Sequence, residues 1–176
     1  GEVNALRGLV PRLGEMGLEV VVSTTTDTGL ARARELFGTT PGGGRATVVR
    51  YPLDVSGAVA RFLDRVRPDV VALVELELWP NFVEACVGRT IPVCVVNGRL
   101  SERSFRGYRR LGWFVGKSLG ALSLAGVQDE AYAERFVSMG VAPERCRVTG
   151  SMKWDAVEFG TGGGVDAAAE ALAKEM

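Results

Sequence analysis

Short apolar runs recur at near-even intervals: residues 18–24 (LEVVVST), 46–52 (ATVVRYP), 69–75 (DVVALVE), 91–97 (IPVCVVN), 122–128 (LSLAGVQ) and 146–151 (CRVTGS). Their brevity and valine content predict strands. Between them, residues 3–16, 28–37, 56–66, 79–88, 101–119 and 129–139 carry good helix formers at helical spacing and predict helices. Strands apolar on both faces, alternating with helices, pack as a parallel sheet covered on both sides. The expected fold class is therefore α/β, a Rossmann-like parallel sheet with helices on both faces. The chain opens on GEVNALRGLV, a loop running into a helix, so a first strand is expected ahead of residue 1. Residues 1–159 form the expected domain. Residues 160–176 read as a glycine-rich linker and the start of a helix leading elsewhere.

In such sheets ligands bind where the carboxyl ends of the strands meet loops and helix N-termini. The residues that follow each apolar run are STTTDTG, YPLD, ELELWPN, NGRLSERS, QDE and TGSMKWD, nearly all of them polar and converging on one rim.

Composition narrows the chemistry available there. The 176 residues are 47% hydrophobic, enough for one ordinary core. Twenty-one Lys and Arg balance twenty-one Asp and Glu, so no global field points to nucleic acid, and none is expected as a partner. Cys86, Cys94 and Cys146 form no CxxC pair and read as reduced, buried thiols. No apolar run reaches the ~20 residues of a membrane-spanning helix. There is no histidine. A Ser-His-Asp triad and the usual zinc sets are thereby excluded, and proton transfer near neutral pH falls mainly to carboxylates. No GxGxxG is present, and the GKS at 116–118 lacks the preceding glycine of a phosphate-binding loop.

Among the carboxylates, Glu75 and Glu77 stand two apart at the mouth of a strand, where an extended chain would turn both the same way. A solvated strand end with Pro80 at the first helical position explains them equally well. Glu2 is either a base or an ordinary first-turn acid favoured by the helix dipole. Residues 97–117 hold six cations (Arg99, Arg103, Arg106, Arg109, Arg110 and Lys117) against one acid, Glu102. With Phe105, Tyr108, Trp113 and Phe114 interleaved, they suit an anionic lipid surface or form a charged outer helix face. The hydroxyls of STTTDTG, Thr25 and Thr26 among them, can receive an anion at a helix start, although Thr26 or Asp27 as N-cap explains most of the stretch. Gln128, Asp129 and Glu130 read mostly as capping, and Lys153 can face a phosphate or carboxylate.

GEVNA, STTTDTG, ELELWPN, NGRLSERSFRGYRR and VQDEAYAERFVSMGVAPERCRVTGSMKWD occur in an order and spacing that resemble the N-terminal half of 3-deoxy-D-manno-octulosonate (Kdo) transferases, glycosyltransferases of the GT-B class. The likeness runs from residue 1 to about 158. Gly98 departs from the family's usual Ala, and Ser151 from its common Asn. The resemblance implies an inverting transfer of Kdo from CMP-Kdo to a hydroxyl of a lipid A precursor, with neither metal nor cofactor. It implies Glu2 as base, Glu77 and Glu75 in support, and Thr25, Thr26, Asn97, Arg99, Ser101 and Arg103 on the acceptor, with Lys153 toward the donor. It also implies work at the cytoplasmic face of the bacterial inner membrane, peripheral or held by an anchor outside these residues, and a chain inactive by itself. The alternatives are a noncatalytic module binding anionic glycolipid, and another GT-B enzyme acting on a UDP-sugar.

Overall fold

The computed structural model describes residues 2–38, 46–76, 78–110 and 112–152. Strands β1 (Val20–Thr24) and β2 (Ala46–Arg50) pair in parallel, with Val20 opposite Ala46 and Thr24 opposite Arg50. Strands β3 (Val71–Val74), β4 (Val93–Gly98), β5 (Leu124–Val127) and β6 (Cys146–Val148) form a second parallel sheet in sequential order. The periodicity anticipated all six strands. It did not anticipate that they fall into two hydrogen-bonded groups, with β1, β2, β3 and β6 each keeping an edge unpaired among the described strands.

The helices are α1 (Glu2–Ala5), α2 (Leu9–Glu15), α3 (Asp27–Phe37), α4 (Ser56–Val66), α5 (Pro80–Val87), α6 (Glu102–Arg110), α7 (Gly112–Gly120) and α8 (Glu130–Ser138). One expected helix is divided. The span 3–16 breaks at residues 6–8 because Pro11 has no N–H and its ring would clash with the carbonyl of residue 7 in a continuous helix; Pro11 fits instead in the first turn of α2. Within the span 101–119, α6 and α7 flank residue 111, which lies outside the described residues.

Each sheet has its own core. Val10, Val22, Ala33, Phe37 and Ala46 fill the smaller one between α2, α3 and the β1–β2 pair. The larger one gathers Val59, Leu63, Leu73, Phe82, Val83, Val95, Leu119, Leu122, Val127 and Phe136, among others, from α4, α5, α7, α8 and β3 to β5. At about 1.5–3 kcal/mol for each large aliphatic or aromatic side chain fully buried, this second core dominates the stability of the described residues. It is therefore the rigid platform beneath the carboxyl ends of β3 to β6.

Candidate functional site

The rim is built from the ends of β3, β4 and β5. Strand β3 stops at Val74, and Glu75 turns left-handed at φ 60°, its N–H donating to the Val96 carbonyl at 3.0 Å. The extended geometry that would align residues 75 and 77 thus ends one residue early. Glu77 lies outside the described residues. Glu75 is half-buried and has no ion pair among the described residues.

Asn97 is the hub of this rim. The register passes from Val95 opposite Ala125 to Gly98 opposite Val127, so β4 holds one extra residue, a bulge. Asn97 sits in it at φ 55°, a conformation asparagine tolerates better than most residues, and is 2% exposed. Its Oδ1 accepts from Gln128 Nε2 at 3.0 Å and from the Met152 N–H at 3.1 Å, while Gln128 Nε2 also reaches the Asn97 carbonyl at 3.2 Å. The Asn97 Nδ2 is enclosed without an acceptor among the described residues, as is Trp79 Nε1. One side chain therefore ties together the ends of β4 and β5 and the segment after β6.

The ELELWPN stretch continues into α5. Trp79 offers no capping side chain, and Pro80 has no N–H, so the next amides need an outside acceptor. Asp54, from the loop after β2, supplies it: Oδ1 accepts from Phe82 N–H at 2.8 Å and Oδ2 from Asn81 N–H at 3.2 Å. Asn81 Nδ2 returns a bond to the Asp54 carbonyl at 2.7 Å. Beneath them Tyr51 packs at ring-centroid distances of 5.8 Å from Trp79 and 5.0 Å from Phe82, with Phe62 6.0 Å from Phe82.

The other expected residues have these places. Glu2 is exposed in the first turn of α1, a four-residue helix that packs on α3 and is too short to build much dipole. Thr25 is exposed; Thr26 caps α3, accepting from the Gly29 N–H at 3.1 Å. Asp27, next to that cap, pairs with Arg50 at the end of β2. Ser101 precedes α6, its hydroxyl donating to Ser104 Oγ at 2.9 Å and accepting from Ser104 N–H at 3.2 Å. Arg99 and Arg103 are exposed and form no ion pair among the described residues, whereas Arg106 pairs with Glu102. Between Arg99 and Ser101, buried Leu100 offers its carbonyl to Arg135 Nη1 of α8 at 2.7 Å. Lys153 lies outside the described residues. A cleft of about 360 Å³ beside Arg67 and Arg89 takes no lining residue from this rim, and one of about 340 Å³ between α5 and α7 takes Pro80 alone from it.

Asp129 caps α8, as its position suggested, accepting from Tyr132 N–H at 2.8 Å. Sequence reasoning missed the separate part of Gln128, the clamp of Asp54, and Arg135. YPLD did mark a rim segment, but nothing local to it tells which helix its aspartate meets. All three thiols are raised by burial, Cys86 to about 11 with Arg89 pulling the other way, so none is a ready nucleophile.

Residues 1–156 match the family model described as 3-deoxy-D-manno-octulosonic-acid transferase (kdotransferase). The chain is 32% identical over 159 residues to the 3-deoxy-D-manno-octulosonic acid transferase of Haemophilus influenzae and 36% identical over 155 residues to that of Bordetella pertussis. Each match takes in 88% of this chain and 36% of the relative, so the chain spans about a third of the length of these relatives. Among solved structures, the UDP-GlcNAc 2-epimerase of Neisseria meningitidis bound to UDP-GlcNAc superposes with a TM-score of 0.59 at 14% identity, over 89% of this chain and 46% of that one. The Methanocaldococcus jannaschii enzyme of the same name gives 0.57 at 14%, over 89% and 45%. At such identity the likeness is one of fold, to half of a two-domain GT-B architecture.

Proposed function

This chain belongs to the Kdo transferase family, and from that membership we propose that it is the acceptor-side domain of a glycosyltransferase of lipopolysaccharide synthesis, moving Kdo from CMP-Kdo to a hydroxyl of a lipid A precursor. On this proposal Glu2 takes the proton of the acceptor hydroxyl as its oxygen bonds to the anomeric carbon. The bond from that carbon to the phosphate oxygen breaks on the opposite face, CMP leaves with the bonding pair, and the configuration inverts. Glu75 and Glu77 orient the acceptor or support the base. Arg99 and Arg103, exposed cations at the start of the α6 segment, meet the phosphates of the acceptor and the anionic membrane surface. Thr25, Thr26 and Ser101 contribute hydroxyls beside them, Asn97 holds the rim, and Lys153 faces the donor.

The observation that carries this proposal is that the family match runs through residues 1–156 and includes the acidic, arginine and TGS segments at the strand ends. No described helix is long and apolar enough to cross a membrane, which suits a peripheral placement.

The test is made in a protein of the relatives' full length that carries this chain. Glu2→Gln is expected to lower transfer from CMP-Kdo by about 100-fold or more while lipid A precursor still binds. Undiminished transfer by the variant removes Glu2 as the base. Turnover of a UDP-sugar instead of CMP-Kdo favours the other GT-B activity, and glycolipid binding with no transfer from either donor leaves the noncatalytic module.

A further inference from the structure

The loop after β2 supplies none of the residues given a role above, yet it closes on the start of α5 through four hydrogen bonds between Asp54 and the Asn81–Phe82 pair. Capping residues ordinarily sit next to the helix they cap. Here the cap comes from a residue 27 positions upstream of Asn81, in the loop that leaves the other sheet. A carboxylate facing helix amides makes charge-assisted bonds and complements the positive end of the helix.

The clamp matters because of what lies just before it. Glu75 holds a left-handed backbone at φ 60°, a conformation that L-residues with a Cβ avoid, and such strain persists only where the surroundings over-determine it. The upstream end of its turn is fixed by the Glu75 N–H bond to the Val96 carbonyl. The downstream end is Trp79 and the first turn of α5. That end is fixed by Asp54 above and by the stack of Trp79 and Phe82 on Tyr51, the residue that opens the same loop.

We propose that Asp54 is a positioning residue for Glu75: by capping α5 from the loop after β2, it fixes the far end of the turn that carries the Glu75 carboxylate and holds that carboxylate in place on the rim. The functional half of this statement rests on the role assigned to Glu75 above; the conformational half does not. Because the Asp54 carboxylate fills the α5 N-terminus, that terminus is closed to an anionic ligand.

Two measurements test it. In the first, hydrogen exchange of residues 75–82 is followed by mass spectrometry in this chain and in its Asp54→Ala and Asp54→Asn variants, with peptides from β5 and α8 as internal reference. Exchange at Glu75 and the first turn of α5 is expected to quicken about tenfold or more in Asp54→Ala and less in Asp54→Asn, while the reference peptides hold. Unchanged protection at Glu75 overturns the proposal. Should the alanine variant not fold, Asp54→Asn, which keeps a carbonyl oxygen for the Phe82 N–H and nearly the same volume, decides by the same criterion.

In the second, the same variants are assayed for transfer in a protein of the relatives' length. A positioning role predicts that kcat falls about 10- to 100-fold while the acceptor KM changes less than about threefold, and that Asp54→Ser, with one acceptor oxygen restored, recovers part of the loss. An unaltered kcat in Asp54→Ala overturns it. If the parent protein transfers no Kdo, the proposed function fails, and the exchange measurement still decides the clamp.

Discussion

Asn97 shows how one side chain can be read only with its neighbours in place. Its residue type and its place after the fourth apolar run were visible, and both suit a ligand-binding amide. In the structure its Oδ1 is engaged twice, and the Met152 N–H, a donor only, settles which atom of the amide is the oxygen. Asn97→Gly keeps the left-handed backbone available and removes only the side-chain bonds, so it should lower unfolding stability by about 1–3 kcal/mol, measured as a reduced denaturant midpoint. An unshifted midpoint would show that these bonds contribute nothing net. Cys86, fully buried in the larger core, has a thiol pushed up from 9.0 to about 11. The protonated form is the one the folded state favours. Its contribution is therefore complete below about pH 9 and lost as pH rises toward about 11, at most about 3 kcal/mol. Cys86→Ala should flatten that part of the stability profile between pH 9 and 11 in urea titrations, whatever its cost at neutral pH.

At the scale of elements, period and capping chemistry were legible, and close approaches were not. Strand runs and helix spans lie where apolar spacing placed them because burial on a parallel sheet imposes those periods. STTTDTG contains a cap, and Thr26→Ala should cost about 1 kcal/mol in thermal unfolding, with α3 fraying at its start in exchange measurements. Gly98, where the resembling family usually has Ala, lies against β5: a Cβ there would stand 2.9 Å from Val127 Cγ1 and 3.1 Å from the Gly126 carbonyl. Gly98→Ala should destabilise by about 1–3 kcal/mol, and Val127→Ala in the same chain should recover part of it, a coupling read from a double-mutant cycle. Additive losses would mean that the contact is relieved elsewhere. The bulge that makes this approach is a relation between two strands, so nothing within residues 91–97 announces it.

For the whole molecule, a balanced charge conceals a local excess of cations between residues 97 and 117. If Arg99 and Arg103 meet acceptor phosphates, Arg99→Gln with Arg103→Gln should raise the acceptor KM about tenfold or more at low salt, and the difference should shrink as ionic strength rises. Salt-insensitive kinetics in the parent protein would contradict that role. The sequence by itself determined the alternation of strand and helix, the rim on which polar residues gather, the absence of histidine from these 176 residues, and the family. These follow from local periodicity, composition and motif spacing, each a property of neighbouring positions along one chain. Only the tertiary structure decided that the strands divide into two sheets, that Glu75 turns left-handed, that Asn97 joins Gln128 to Met152, and that an aspartate in the loop after β2 caps a helix after β3. Those facts belong to pairs of segments tens of residues apart, brought together by burial of the shared core, and a hydrogen bond across such a distance leaves no local trace in either segment.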